Sequence, residues 1–318
     1  MSLEQWETYY RGGAIATGPA GPDGLYDQDV RRAWVGFFST LPMDARLLDI
    51  ATGNGVVPLI ALDVARSRGA QWAIEATDLA RIDPVHQVPN GAERFAGIRF
   101  HPGVATEKLP FEDARFDAVT GHYALEYSDT AAALAQIHRV LKPGGDAQFI
   151  LHHASSELLL TARRSLADCD LVLKQVRLYR RVHRLITMEN VPEAQLKAAS
   201  DDLVAGIRTV REAHATAETR QPGSGRVFAV AIDAAQKLLA SRRTQKPALV
   251  GLEVDRAEEE LRASWRRLND LVEHALDEAA IARLEQQAAT LGFTLIERHP
   301  LHHAGNHLVG WQLAMHRP

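Results

Sequence analysis

Glycine is distributed unevenly along this chain, and that distribution constrains the fold more than any other feature of the sequence. Of 22 glycines, 15 lie in residues 1–154, four in residues 155–276 and three in residues 277–318. Glycine permits the tight turns that join strands to helices, whereas it weakens the interior of a helix. We therefore expect turn-rich segments at both ends of the chain and a helical segment between them.

The turn-rich segments alternate short apolar runs with helical patterns. This alternation predicts a largely parallel sheet that is covered by helices on both faces. The last two apolar runs lie close together in the sequence and predict an antiparallel hairpin at the sheet edge. Strands are expected at 46–51, 72–76, 98–101, 116–121, 148–152, 293–298 and 307–315, and helices at 56–67, 130–141 and 277–291.

The middle segment has apolar residues at steps of three and four, which is typical of amphipathic helices. Its predicted helices are 155–187, 193–218, 226–243 and 248–276. We therefore predict one core formed by residues 1–154 and 277–318, interrupted by a helical insertion at residues 155–276.

Composition excludes several classes of protein. With 36 basic and 40 acidic residues the formal net charge is −4, which offers no general attraction for nucleic acid, so DNA is not an expected partner. A single cysteine, Cys169, cannot form an intramolecular disulfide and fits a reducing compartment. The chain has no basic, apolar leader and no run of about 18 apolar residues. We expect a cytoplasmic protein without a membrane span.

A glycine turn directly follows the first predicted strand. The sequence Leu-Leu-Asp-Ile-Ala-Thr-Gly-Asn-Gly ends at Gly55, and the turn leads into a helix whose free N–H groups face a ligand site. Asp49 precedes the turn and favours a cationic ligand over a phosphate. Asp78 ends the next strand, where an acidic residue binds ribose hydroxyls in nucleotide-binding folds. Glu75 is the alternative for that role.

Four motifs in this order carry a family resemblance. LLDIATGNG, ATDLA, LPFEDARFDAVTGHYALEYS and IHRVLKPGGDAQFI resemble class I S-adenosylmethionine-dependent methyltransferases, particularly the branch that includes ubiquinone and menaquinone methyltransferases. The resemblance covers residues 46–154 and resumes at 280–298. It implies a doubly wound, Rossmann-like, mostly parallel seven-stranded sheet with an antiparallel edge hairpin and the inserted helical subdomain.

The resemblance also implies a cofactor and its contacts. The cofactor would be S-adenosyl-L-methionine and the product S-adenosyl-L-homocysteine. Asp49 would lie near the cofactor ammonium, Asp78 would bind the ribose and Leu79 would pack on the adenine. The expected cofactor-binding residues are Tyr10, Asp49, Ala51, Gly53, Gly55, Asp78, Leu79, Ala105, Gly121 and His122.

Histidines after two strands are the candidates for acid–base chemistry. Methyl transfer needs alignment above all, but a hydroxyl acceptor must lose its proton, and histidine is the usual base near neutral pH. Ligands bind beyond the carboxyl ends of parallel strands. The pair His152 and His153 is the leading prediction and His122 the third candidate, with packing or helix capping as the alternative for the pair.

Three further patterns allow more than one interpretation. His299, His302, His303 and His307 near the end of the chain indicate a solvated turn better than a metal site, so no metal is expected. The segment from Trp6 to Gly24 belongs to residues 1–45, which are expected to close over the cofactor as a helical lid or simply to dock on the core. A basic stripe at Lys174, Arg177, Arg181 and Arg184 is either a solvated face or a site for an anionic substrate.

The predicted function is methyl transfer from S-adenosylmethionine to a small molecule, with O-methylation of an aromatic or quinone-like hydroxyl as the first choice. The helical insertion would cover the acceptor pocket, form a homodimer interface, or do both. Two alternatives stay open: an RNA or protein methyltransferase that docks through the insertion, and a non-catalytic cofactor-binding protein.

Overall fold

A computed structural model describes residues 4–13, 15 and 26–318. Its first compact unit comprises residues 1–159 and 271–318, and its second comprises residues 160–270. Among the described residues, no helix is both long enough and apolar enough to cross a membrane.

Seven strands form one sheet in the first unit, in the order β3-β2-β1-β4-β5-β7-β6. Strands β1 to β5 pair in parallel, whereas β7 pairs antiparallel with both β5 and β6. The predicted fold class, including the antiparallel edge hairpin, is confirmed. The strands are β1 Arg46–Asp49, β2 Ala73–Asp78, β3 Ile98–Pro102, β4 Phe116–His122, β5 Leu141–His152, β6 Thr294–His303 and β7 His307–His316.

Helices cover both faces of this sheet because two separate apolar clusters need burial. One cluster includes Val30, Trp34 and Ile60 on one face, and the other includes Leu134 and Ile281 on the opposite face. The helices that carry these faces, together with the shorter ones of this unit, are α1 Glu4–Arg11, α2 Gln28–Ser39, α3 Val56–Arg68, α4 Pro84–Gln87, α5 Gly91–Arg94, α6 Thr130–Val140 and α12 Glu278–Thr290.

The second unit is helical and has its own apolar core, which includes Val172, Leu203, Phe228 and Val254. Its helices, two of which extend into the first unit at one end, are α7 Glu157–Asp170, α8 Leu178–Thr187, α9 Glu193–Arg220, α10 Arg226–Ser241 and α11 Pro247–His274.

Two predicted boundaries were wrong. The helix expected over 155–187 breaks after a π-helical segment, Leu171–Gln175, because Arg177 adopts a left-handed φ of 53° and starts α8. The Arg181 side chain stabilises this break, because its Nε–H donates to the Val176 carbonyl oxygen at 2.7 Å. Strand β5 begins at Leu141 rather than 148, and Gly144, with φ 80°, lies within it rather than in a terminating loop.

Candidate functional site

The turn between β1 and α3 brings the backbone unusually close to an aromatic ring. Gly53 has φ 53° and Gly55 has φ 84°, a region that side chains other than glycine rarely occupy. A Cβ atom on Gly53 would lie 2.7 Å from Cε1 of Tyr10. Ala51, which is not glycine, is nevertheless held at φ 46°. Backbone strain of this kind persists where a site requires it.

Two buried carboxyl groups lie beside this turn. The hydroxyl of Thr120 donates to Asp49 Oδ1 at 2.7 Å, and the Gly53 N–H donates to Asp78 Oδ2 at 2.8 Å. Burial raises the pKa of Asp49 to about 7, although hydrogen bonds from Thr52 and Thr120 oppose the shift. Burial likewise raises the pKa of Asp78 to about 6, against backbone hydrogen bonds from Gly53 and Ala80. A cationic ligand would stabilise the ionised form of both groups.

Glu75, the alternative ribose residue, is held by basic side chains. His101 Nε2 lies 2.5 Å from Glu75 Oε2, and Arg115 donates to Glu75 Oε1 at 2.9 Å. Burial acts to raise the pKa of Glu75, but these two hydrogen bonds and the nearby charges lower it overall. The Glu75 carboxylate is therefore already paired with basic side chains. Among the described residues, the Asp78 carboxylate accepts hydrogen bonds only from backbone N–H groups.

An apolar side chain and a loop lie next to Asp78. Leu79 is 42% exposed, one of the few large apolar residues with that exposure. The N–H of Val104 donates to the Asp78 carbonyl oxygen at 2.9 Å, which brings the following residue, Ala105, close to the end of β2. Leu79 and Ala105 thus lie near Asp78; the adenine contact predicted from the resemblance concerns Leu79, and the segment that contains Ala105 lacks the acidic residue that many relatives carry there.

Helix α1 closes over the glycine turn through its aromatic residues. The Asn54 amide donates to the Tyr10 carbonyl oxygen at 2.9 Å. The Trp6 ring stacks on Tyr10 with centroids 6.2 Å apart and meets Tyr127 edge-on at 5.8 Å. The remainder of the predicted lid includes residues 1–3, 14 and 16–25, which lie outside the described residues.

A second group of side chains lies at the carboxyl ends of β4 and β5. We define the β4–β5 cluster as His122, Tyr123, Glu126, Tyr127 and His152. Tyr123 links it, since its ring stacks on His152 at 3.6 Å and meets His122 edge-on at 4.3 Å. Tyr123 is also held at φ 55°, so both turns of the candidate site contain a strained residue that is not glycine.

The β4–β5 cluster contains buried polar atoms that have no hydrogen-bond partner among the described residues. These atoms are His122 Nε2, His152 Nδ1 and Glu126 Oε2. Buried polar atoms in folded proteins nearly always have a partner. Glu126 is 5% exposed, and its other oxygen accepts the His152 backbone N–H at 2.7 Å. An external molecule with matching polar groups would complete the cluster.

Burial sets the protonation of these three groups. It raises the pKa of Glu126 to about 7, against hydrogen bonds from the backbone. It lowers the pKa of His152 to about 3, and the nearby His274 adds to that shift. It also lowers the pKa of His122 far below its usual value, with His152 as the second cause. Both histidine rings are therefore neutral at pH 7, and Glu126 titrates near it.

His153 is separated from its predicted partner, His152. Successive side chains of a strand point to opposite faces of the sheet. The His153 ring stacks on Trp311 with centroids 4.3 Å apart, and its Nδ1 accepts the Ser155 N–H at 2.9 Å. The structure thus brings His122 and His152 together, but it does not place His153 with them.

One residue of this site, Trp34, was not predicted from the sequence. Trp34 donates its indole N–H to His122 Nδ1 at 3.2 Å, across 88 positions of the chain. No local pattern marks Trp34, because it occupies an ordinary buried position of an amphipathic helix. Glu126 was recognisable only by its position after β4, and its burial is what distinguishes it.

Two of the four candidate histidines near the end of the chain lie close to carboxylates of the first unit. His303 Nδ1 lies 2.7 Å from Asp27 Oδ2, and His307 Nδ1 lies 2.5 Å from Glu157 Oε1. In the described part of the chain, no group of three or more potential ligands is arranged to hold a metal ion.

Two residues of the basic stripe are paired with carboxylates of the second unit. Lys174 pairs with Asp170 at 2.7 Å and lies over the Trp265 ring at 4.3 Å. Arg181 pairs with Asp202 at 2.6 Å. These contacts favour a structural role for Lys174 and Arg181 over an anion site, whereas Arg177 and Arg184 are exposed.

Comparison with known proteins agrees with this geometry. Residues 48–149 match the sequence model of a family described as a methyltransferase domain. The resemblance to class I methyltransferases is confirmed. The match spans the glycine turn, Asp78, β4 and most of β5, and it also supports the predicted cofactor, S-adenosylmethionine.

Individual relatives match about a third of this chain. A demethylmenaquinone methyltransferase of Chlorobaculum parvum is 33% identical over 108 residues, which is 34% of this chain and 41% of that protein. A ubiquinone/menaquinone biosynthesis C-methyltransferase of Desulfotalea psychrophila is 36% identical, over 33% of this chain and 40% of that protein. The chain thus spans about two fifths of the length of these relatives.

One solved structure with similarity is the 1,6-didemethyltoxoflavin-N1-methyltransferase of Burkholderia thailandensis with bound S-adenosylhomocysteine. It is 23% identical, has a TM-score of 0.33, and the match covers 40% of this chain and 54% of that chain.

The residues at the glycine turn fit S-adenosylmethionine. This cofactor carries an ammonium group, a sulfonium group, a ribose diol and an adenine ring. The chain offers two buried carboxyl groups for the polar parts, Asp49 and Asp78. It offers an exposed leucine, Leu79, for the adenine, and a glycine turn for close backbone approach.

Proposed function

We propose that this protein transfers a methyl group from S-adenosylmethionine to an oxygen atom of a small aromatic or quinone-like molecule. The observation that carries this proposal is the set of buried, unpartnered polar atoms at the ends of β4 and β5. These atoms belong to the same carboxyl edge of the sheet as the glycine turn, and ligands of such sheets bind at that edge.

The proposed cofactor contacts lie at the carboxyl ends of β1, β2 and β4, in the segment after β3, and on α1. Asp78 would accept the ribose hydroxyls, and Asp49 would face the ammonium group. Gly53 and Gly55 allow the backbone to approach the methionine part. Tyr10 would cover that part from the N-terminal side. The remaining proposed contacts are Ala51, Leu79, Ala105, Gly121 and His122.

Alignment of the acceptor with the methyl group supplies most of the expected catalysis. Bound S-adenosylmethionine provides an activated methyl group, so the protein must hold the acceptor in line with it. The flat rings of Tyr123, Tyr127 and His152 lie in contact, which suits a planar acceptor.

Glu126 is the base that we propose for the acceptor hydroxyl. A general base is most effective when its pKa lies near the working pH, and burial raises the pKa of Glu126 to about 7. Its Oε2 atom has no partner among the described residues. His152, the base predicted from the sequence, is the alternative, but its lowered pKa of about 3 makes it a weaker one.

Methylation at carbon is a second candidate. Proteins with sequence similarity to this chain include ones named as C-methyltransferases of ubiquinone and menaquinone biosynthesis. A hydroxylated ring that loses its proton becomes nucleophilic at its ring carbons as well as at oxygen, so the same base would serve either outcome.

The test uses S-adenosylmethionine with a labelled methyl group. The full chain is incubated with 1-naphthol, 1,4-dihydroxynaphthalene and catechol, and separately with transfer RNA and a mixed protein extract. We expect label in a small-molecule product, and the proton spectrum of that product distinguishes a methoxy group from a ring methyl group. Label confined to RNA or protein, or no transfer at all, would contradict the proposal.

A further inference from the structure

The hydrogen bond from Trp34 fixes which nitrogen of His122 carries the proton. An indole N–H can only donate, so His122 Nδ1 must accept with its lone pair. Burial, and then the nearby His152, lower the pKa of His122, so the ring is neutral. A neutral imidazole with a lone pair on Nδ1 carries its single proton on Nε2.

The resulting Nε2–H group is a buried donor without an acceptor among the described residues. His122 is 7% exposed, and its ring is held by stacking on Tyr26 at 4.1 Å and by the edge contact with Tyr123. Leaving a buried donor unsatisfied destabilises the fold, and a bound oxygen atom would remove that cost. The stacked ring is therefore held in one orientation, while its Nε2 has no acceptor among the described residues.

We propose that His122 is a hydrogen-bond donor rather than a base, and that its Nε2–H binds an oxygen atom of the acceptor. The inference rests on the proposed function and narrows its substrate class. An acceptor that satisfies both His122 and Glu126 must carry one oxygen that accepts a hydrogen bond and one hydroxyl that donates its proton. A ring with two oxygen substituents meets that requirement. Trp34 is then a positioning residue, which acts through the tautomer of His122.

The tautomer is measured directly by nitrogen NMR of the full chain labelled at histidine, with S-adenosylhomocysteine added. The His122→Phe variant identifies the His122 signals by their loss. We expect the wild type to show protonated Nε2 and unprotonated Nδ1, and Trp34→Phe to shift His122 toward the other tautomer. Trp72→Phe is the matched control, because it removes an indole donor that binds the Pro42 carbonyl oxygen instead. A proton on Nδ1 in the wild type would overturn the proposal.

The donor role of His122 is tested by comparing the binding of two ligands, one with an oxygen atom and one without. Binding of 1-methoxynaphthalene, whose oxygen can accept but not donate a hydrogen bond, is compared with binding of 1-ethylnaphthalene, which has nearly the same shape but no oxygen, both in the presence of S-adenosylhomocysteine. We expect the wild type to prefer 1-methoxynaphthalene by about tenfold to a hundredfold, the value of one satisfied buried hydrogen bond. His122→Phe should lose this preference, and His122→Gln, which keeps an N–H donor, should retain part of it.

Failure of this inference differs from failure of the proposed function. If the wild type binds S-adenosylhomocysteine and transfers methyl groups but shows no preference for 1-methoxynaphthalene, or keeps it in His122→Phe, the donor role is wrong and the methyltransferase proposal stands. If the wild type neither binds S-adenosylhomocysteine nor transfers methyl groups, both are wrong. Should His122→Phe fail to fold, the tautomer in the wild type and in Trp34→Phe decides the question.

Discussion

The two compact units of this chain differ in how their titratable side chains are partnered. In the helical unit, residues 160–270, Lys174 and Arg181 of the basic stripe are paired with carboxylates of the same unit, and the buried atom without a partner in the described part of the chain at Trp265 is an indole nitrogen that does not titrate. In the sheet unit, His122, Glu126 and His152 have buried polar atoms without partners among the described residues. Satisfied groups stabilise a fold, whereas unsatisfied buried groups reduce its stability and persist where a ligand completes them. The contrast supports the proposal that the chemistry takes place in the sheet unit.

The largest effect is expected from removing the acidic group of the β4–β5 cluster. Glu126→Gln keeps the size of the side chain and a carbonyl oxygen that accepts the His152 N–H, but it cannot take a proton. We expect kcat to fall by about 10²- to 10⁴-fold, the usual contribution of a general base, with little change in S-adenosylhomocysteine affinity. Steady-state kinetics and calorimetry measure the two quantities. An unchanged kcat would remove Glu126 from the mechanism.

A smaller but still clear effect is expected at the glycine turn. Gly53→Ala forces an alanine into φ 53° and drives its Cβ against the Tyr10 ring. Gly69→Ala is the matched control, since Gly69 has φ 65° but no atom within 4 Å of its added Cβ. An alanine held at such a positive φ lowers the free energy of unfolding by about 1–3 kcal/mol, so both variants are less stable than the wild type. Only Gly53→Ala should weaken S-adenosylhomocysteine binding, by tenfold or more; equal binding by the two variants would contradict the assigned turn.

The dependence of stability on pH tests the burial of the titratable groups in the sheet unit. The pKa values of Asp49 and Glu126 are raised to about 7, and that of Asp78 to about 6. Their protonated forms stabilise the fold, so this stability is complete below their unfolded values near 4 and is lost as the pH rises through 6–7. The lowered pKa values of His152, about 3, and of His122 act in the opposite direction: their contribution is complete above the unfolded value near 6.5 and is lost progressively as the pH falls below it.

We therefore expect Tm without cofactor to fall between pH 5 and pH 8, and S-adenosylhomocysteine to recover more of it at pH 8. Asp49→Asn should make the fall shallower, because the asparagine does not titrate. Thermal unfolding across this range measures both effects. A Tm that rises from pH 5 to pH 8, with no reduction in slope in Asp49→Asn, would show that these carboxyl groups are not buried as described.

The smallest effect is expected in the helical unit. Arg177→Ala should leave the Michaelis constant of the acceptor within about twofold, since exposed basic groups contribute about 0–1 kcal/mol. Arg181→Ala should lower Tm instead, because this side chain donates to the carbonyl oxygens of Val176 and Asp202 as well as pairing with the Asp202 carboxylate. A several-fold rise of the Michaelis constant in Arg177→Ala would restore the anionic-substrate hypothesis.

The sequence was sufficient for the features that depend on neighbouring residues. The glycine turn, Asp49 and Asp78 lie within two strands and one loop, so their order along the chain indicates their role. The same applies to the edge hairpin, whose two strands are consecutive. The break at Arg177 was not predictable, because the helical pattern continues through it and only the backbone shows the left-handed residue.

The acceptor side of the site was predicted less completely because its contacts are long-range. His122 and His152 were found from their places at strand ends. The contact of His122 with Trp34 connects α2 to β4, and nothing in the spacing of either segment indicates it. That contact also changes the role of His122 from a candidate base to a donor, which only the three-dimensional arrangement could reveal.

The central claim is that the sheet unit binds S-adenosylmethionine through Asp78, and calorimetric titration with S-adenosylhomocysteine tests it most directly. Asp78→Asn is compared with Glu75→Gln, because both remove a buried carboxylate from β2. We predict one binding site in the wild type, an affinity lowered by about tenfold to a hundredfold in Asp78→Asn, and an unchanged affinity in Glu75→Gln. No binding by the wild type, or equal weakening by the two variants, would contradict the claim.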